Sequence, residues 1–136
     1  MKRLILVLLL IPAFAYSQRA AISDRWKLIF KSEIGDTQTY IDTQTIEHLD
    51  YFEARANVYS AWIKSLSDFS NGIFHKEDIV HMVVDIDTKQ IGIKSLVSKK
   101  DGKTLANKTY IAVDWNDIVP ETNGETLLNY CKNLHK

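Results

Sequence analysis

A chain of 136 residues with 17 basic and 17 acidic side chains carries no net formal charge, and 46% of it is hydrophobic. That balance excludes the basic footprint of a nucleic-acid binder, and the length suits one domain with a core of its own. Cys131 is the only cysteine, so no intramolecular disulfide can form.

Lys2 and Arg3 precede an apolar run from Leu4 to Ile11, closed by Pro12, Ala13, Phe14 and Ala15. A charged start, an apolar middle and an A-x-A exit are the parts of a secretory signal. Spanning a membrane takes about 20 apolar residues, and here polar residues begin at Ser17, Gln18 and Arg19. The sequence therefore predicts a bacterial-type signal peptide over 1–17, cut after Ala15 or Ser17, and a single domain over 18–136. Without Lys2 and Arg3, 15 basic residues face 17 acidic ones, a formal charge of −2. No cysteine stands at the cut to accept a lipid, so no stable membrane anchor is expected. The predicted location is the periplasm, the cell surface or the medium. Export favours paired cysteines, so lone Cys131 is expected to be buried, the alternative being a bridge between chains.

Beyond the signal the pattern has mainly period two. Trp26, Leu28 and Phe30 alternate with Lys27 and Lys31, and after the Gly35-Asp36 turn signal, Thr37 to Ile41 reads as the returning strand. Phe52, Ala54, Ala56, Val58, Ser60 and Trp62 alternate with Glu53, Arg55, Asn57 and Tyr59, which predicts one long strand. Lys64 to Asp78, rich in Ser, Asp, Asn and Gly, reads as the longest irregular stretch. Ile79 to Ile86 is the next strand and Asp87-Thr88-Lys89 a turn. Ile91, Ile93, Ser95 and Val97 then form the inward side of another strand. Asp101-Gly102 is a hairpin signal, because both central positions of a type I′ turn need positive φ. A last strand is expected from about Lys108 to Trp115.

At the end of the chain the period changes. Leu127, Leu128, Cys131 and Leu134 share one helical face, and Thr122 with Glu125 has capping-box spacing. A helix this short is marginal alone in water and must dock on the sheet, with Cys131 at the contact. The predicted fold is α+β: a curved antiparallel sheet of about six strands with one C-terminal helix packed on it.

Chemical motifs are sparse. His48, His75, His81 and His135 show no metal-binding spacing, and no cysteine pair accompanies them. His75 and His81 could meet near Glu77 or Asp78, and Asp85 and Asp87 resemble a carboxylate pair, but solvated surface and turn-flanking roles suit them better. Ser65, Ser67 and Ser70 lack a nucleophile-elbow context. No catalytic residue, cofactor or metal site is assigned, and the chain reads as a non-enzyme. Asn107-Lys108-Thr109 matches a glycosylation sequon, which a bacterial-type signal makes irrelevant. The tryptophans Trp26, Trp62 and Trp115 are expected to fill the core. Tyr59, Phe69 and Phe74 fall on a polar strand side or in the long loop, where exposed aromatics would mark a partner surface. Lys94, Lys99, Lys100 and Lys103 cluster around the Asp101-Gly102 turn and could meet an acidic partner, or simply keep an edge soluble.

A set of landmarks runs along the chain: Trp26 with Ile29, Tyr40-Ile41-Asp42 before Thr45-Ile46, Ala61-Trp62 at a strand end, and Trp115-x-x-Ile118-x-Pro120 leading to Glu125, Leu127, Leu128 and Cys131. Their order resembles the surface-adhesin protein E family of small exported Gram-negative proteins. The resemblance covers most of the chain after the signal. It implies an antiparallel sheet against a C-terminal helix, and surface adhesion to host matrix or serum proteins. It also implies a disulfide from the helix cysteine to a middle strand, where this chain has Ile86 in place of the second cysteine. The leading expectation is an exported protein-binding, adhesin-like domain. The alternatives are a periplasmic structural or stress-linked module without a host partner, and a small hydrolase or metal-binding protein.

Overall fold

In the computed structural model, which describes residues 25–135, the segments of period two become strands and the last segment becomes a helix. The expected signal peptide, 1–17, lies outside the described residues. The strands are β1 (Trp26–Lys31), β2 (Gln38–Asp42), β3 (Glu47–Leu49), β4 (Val58–Ser70), β5 (Ile73–Asp85), β6 (Gln90–Lys100), β7 (Lys103–Thr109) and β8 (Asn116–Asp117). Helix α1 is Asn123–His135. The sheet runs β1-β2-β4-β5-β6-β7, all antiparallel, with short β3 beside the start of β4 and β8 beside the start of β6. The fold is thus the α+β arrangement the sequence predicts, with eight strands in place of about six.

The spine of the sheet is the hairpin of β4 and β5, each 13 residues long. It closes at Asn71-Gly72, whose φ angles of 53° and 79° fit a type I′ turn. The stretch from Lys64 to Asp78 is therefore paired strand, not irregular. Its serines and Asp68 are the polar content of long, half-exposed strand ends. Asp101-Gly102, with φ of 49° and 78°, turns β6 into β7 as expected.

Three other expectations are corrected. Phe52 to Trp62 is not one strand, because Glu53 and Ala54 adopt left-handed backbone (φ 48° and 62°) and β4 starts only at Val58. The last long strand ends at Thr109, and the following segment runs close over Gly92, where a Cβ would stand 2.0 Å from Val113 Cγ1. Finally, the register between β5 and β6 shifts at Lys94. Ile91 and Ile93 pair with Val84 and Met82, whereas Ser95 and Val97 pair with His81 and Ile79 on the other face. One extra residue exchanges the two faces of a strand.

The core lies between the sheet and α1. Ile41, Tyr59, Ala61, Ile63 and Val84 meet Leu127, Leu128 and Cys131, with Ile29, Met82, Ile86 and Ile91 packed around them. Burying each of the two helix leucines contributes about 1.5–3 kcal/mol, which holds a helix too short to persist alone. The helix starts where the capping signal predicts, though with a shifted box. Glu125 accepts the N–H of Glu121 at 2.8 Å, and the Thr122 hydroxyl donates to the Val119 carbonyl at 2.6 Å.

Candidate functional site

Helix α1 covers one face of the sheet, so side chains of the opposite parity stand on a face that no helix among the described residues covers, called helix-free below. Register places Trp26 opposite Asp42, Tyr40 opposite Lys64 and Trp62 opposite His81, all on that face. Trp62 and His81 stack with centroids 4.7 Å apart and planes 11° from parallel. The Lys64 ammonium sits 4.2 Å over the Trp26 ring. Further along, the Arg55 guanidinium lies 4.0 Å over Trp115, Phe52 meets Trp115 edge-on, and the Lys94 ammonium is 5.2 Å over Phe52. The expectation that the tryptophans fill the core is corrected: all three are only half-buried and belong to this face or the loops folded on it. The pleat explains it, since Trp62 alternates with the core residues Ala61 and Ile63.

Two ion pairs flank the aromatics. Arg25 bonds Asp42 through Nε and Nη2, at 2.8 and 2.6 Å, and Arg55 Nη1 donates to Asp85 at 2.7 Å. Asp85 is 2% exposed and also accepts the N–H groups of Asp87 and Thr88. Burial pushes its carboxyl up, but Arg55 and the turn donors outweigh that and hold it below the usual carboxylate range. Burial, with Lys94 nearby, holds the His81 imidazole below its ordinary value, which keeps the ring stacked on Trp62 neutral at pH 7. Arg25, Trp26, Asp42, Thr45, Trp62 and Ile79 line a depression of about 250 Å³. With both aspartates engaged by arginines, the face offers aromatic area and cations, with the exposed Glu47 carboxylate near His81.

The residues expected to form a partner surface are split by the fold. Tyr59 is corrected: it is 8% exposed, faces the core, and its hydroxyl shares a hydrogen bond with His135 Nδ1. The left-handed Glu53 and Ala54 break the alternation that had put Tyr59 on the polar side. Phe69 and Phe74 pair across the β4–β5 hairpin end, with ring centroids 4.8 Å apart and Phe69 46% exposed. Lys99 and Lys100 lie at the same tip, 4.0 Å from Glu77 and 3.9 Å from Asp68, and Lys103 begins β7. Lys94 stands apart at the bulge over Phe52.

His75 does not join His81. It bonds Asp101 at 2.6 Å, tying the two hairpin tips, and that bond is the main cause raising its pKa. Asp85 and Asp87 do not pair as a catalytic dyad: Asp87 accepts from Asn57. Among the described residues no three His, Cys, Asp or Glu side chains converge as metal ligands. Of the landmark residues, Ile41, Ile86 and Cys131 enter the apolar cluster, while Pro120 precedes α1. The Arg55–Trp115 contact was missed, because nothing local in sequence joins residues so far apart. No family model, curated protein or solved structure matches the chain.

Proposed function

We propose that the protein is an exported, non-enzymatic, adhesin-like domain that holds a protein partner on the helix-free face of its sheet. The observation that carries this reading is the placement of the tryptophans. An aromatic side chain half-buried on an uncovered face retains apolar area for a partner, and Trp, Tyr and Arg are the side chains that dominate binding energy at interfaces. Trp26 and Trp62 flank the depression beside the Arg25–Asp42 pair, so a partner would find flat apolar surfaces bordered by fixed charge. Export follows from the signal pattern in 1–17. Host matrix or serum proteins are the partner class implied by the resemblance.

The test is binding of the purified protein to immobilised matrix and serum proteins, comparing wild type with Trp26→Ala, Trp62→Ala and, at the hairpin tip, Phe69→Ala. Both tryptophan variants should lose at least about tenfold in affinity, as interface anchors do, with Phe69→Ala close to wild type. Equal binding by all four proteins, or loss only in Phe69→Ala, overturns the placement. Resistance of the protein to protease on intact cells would favour the periplasmic module over an adhesin.

A further inference from the structure

The histidines lack any metal-binding spacing in sequence, yet the fold brings two of them together. Strand β3 sets His48 directly opposite Tyr59 of β4, and the last turn of α1 lays His135 against the same tyrosine. The His48 and His135 ring centroids are 5.7 Å apart with planes inclined at 50°, and His48 is 4.9 Å from the Tyr59 ring. His48 Nδ1 lies 3.3 Å from an Asp50 carboxylate oxygen, and His135 Nδ1 lies 2.9 Å from the Tyr59 hydroxyl. His135 Nδ1 is therefore hydrogen-bonded to Tyr59, His48 Nδ1 has the exposed Asp50 carboxylate within ion-pair distance, and neither Nε2 has a hydrogen-bond partner among the described residues.

Metal-ligating histidines are commonly held as His135 is, with one ring nitrogen on an oxygen; when that nitrogen donates, the other carries the free lone pair. Two imidazoles on one ion, with Zn–N bonds of about 2.0–2.1 Å, place their centroids roughly 5 to 6 Å apart. The observed separation lies in that range. His135 also sits at the C-terminal end of α1, where the partial negative charge of the last carbonyls favours a cation. Both rings are accessible: the His48 side chain is 34% exposed and His135 is exposed.

We propose that His48 and His135 form a two-histidine site for a divalent cation that prefers imidazole, of the zinc or copper type. Two nitrogens come from the protein and the remaining positions from water. The site is separate from the helix-free face and independent of the function proposed for it. A bound ion would tie β3 to the end of α1, so binding to the folded state raises the melting temperature.

The experiment is calorimetric titration of tag-free protein with Zn²⁺, paired with thermal melts in Zn²⁺ and in EDTA. Wild type should bind one equivalent and melt higher with zinc. His48→Gln and His135→Gln should each weaken binding at least tenfold and abolish the zinc-dependent shift, while melting in EDTA like wild type. His75→Gln and His81→Gln should bind as wild type. Copper electron paramagnetic resonance of the wild type, which needs no variant to fold, should report two imidazole nitrogens. Absence of saturable binding, binding unaffected by both His48→Gln and His135→Gln, loss in His75→Gln or His81→Gln, or a copper signal with fewer than two imidazoles would each overturn the proposal.

Discussion

Replacing Asp85 tests whether the buried ion pair under Trp115 supports the helix-free face. Its side chain is 3% exposed, against 22% for that of Arg55, and the two are joined at 2.7 Å. In Asp85→Ala the guanidinium loses its carboxylate and the turn loses the acceptor for two N–H groups. Removing one partner of a fully buried pair costs about 3–5 kcal/mol. Arg55 is partly reached by water and the turn residues are exposed, so about 2–3 kcal/mol is expected here. Asp85→Asn keeps an acceptor for the turn and loses only the charge, which places it near 1–2 kcal/mol. Urea unfolding followed by tryptophan fluorescence measures both. Acid supplies a second reading. Because the folded carboxyl titrates below its unfolded value of about 3.9, the charge stabilises the fold above that pH and stops doing so as pH falls through the folded value. The gap between wild type and Asp85→Asn should therefore narrow below about pH 4. Two variants within 0.5 kcal/mol of wild type, or a gap unchanged in acid, would refute the reasoning.

Gly92→Ala drives a methyl onto Val113 and should destabilise the domain by about 1–3 kcal/mol in the same urea assay. Glu125→Ala removes the acceptor of the Glu121 N–H and should lower stability by about 0.5–1 kcal/mol, visible as a lower denaturation midpoint. Burial pushes the Cys131 thiol up to about 12, so native protein should resist thiol reagents that label it at once in urea. Ile86 lies in the same apolar cluster, and Ile86→Cys should bridge to Cys131 and raise stability by about 2–4 kcal/mol, read on non-reducing gels and by melting. The raised pKa of His75 means its bond to Asp101 stabilises below the unfolded value of about 6.5 and fades as pH rises through the folded one. His75→Gln should remove that component from the pH dependence of melting.

The parts of the fold written locally were legible. The first strand, the Asp101-Gly102 turn and the Leu127, Leu128, Cys131 stripe each carry their period or turn chemistry within a few residues, although a register shift after Leu28 takes Phe30 off the face expected to join it to Trp26 and Leu28. Asn71-Gly72 was equally local but lay among serines and acids, whose polarity outweighed the turn pair in the reading. The face assignment of Ser95 and Val97 was lost to a single bulge at Lys94, which no periodicity contains. The tryptophan face and the His48–Tyr59–His135 cluster were not legible, because both arise from strand register and helix docking between residues distant in sequence. Tyr59 failed for a local cause: left-handed Glu53 and Ala54 break the alternation before β4 starts at Val58, so the polar side read from Glu53, Arg55 and Asn57 does not continue into the strand.

The two ends of the helix-free face differ in how their tryptophans are held, and that difference bears on where a partner would sit. At one end, left-handed Glu53 and Ala54 cost of order 1–3 kcal/mol each, and the surrounding contacts must hold them in place. Glu53 does so by accepting the Val113 N–H at 3.0 Å and Trp115 Nε1–H at 2.9 Å, bonds that also hold its carboxyl below the usual range. Arg55 completes the lock from Asp85 to the Trp115 ring. Trp115 is thus held at its indole N–H and on its ring face, with the chain two residues before it fixed through the Val113 N–H. Among the described residues the Trp26 and Trp62 rings meet the Lys64 ammonium and the His81 ring, and the Trp62 N–H donates to the Thr45 hydroxyl at 3.2 Å, on strands whose other face α1 already fixes. A partner binding near Trp115 would have to break these bonds, whereas one binding across Trp26 and Trp62 gains aromatic area on a sheet already ordered. On the proposed function, the lower cost of ordering would favour a partner at β1, β2 and β4.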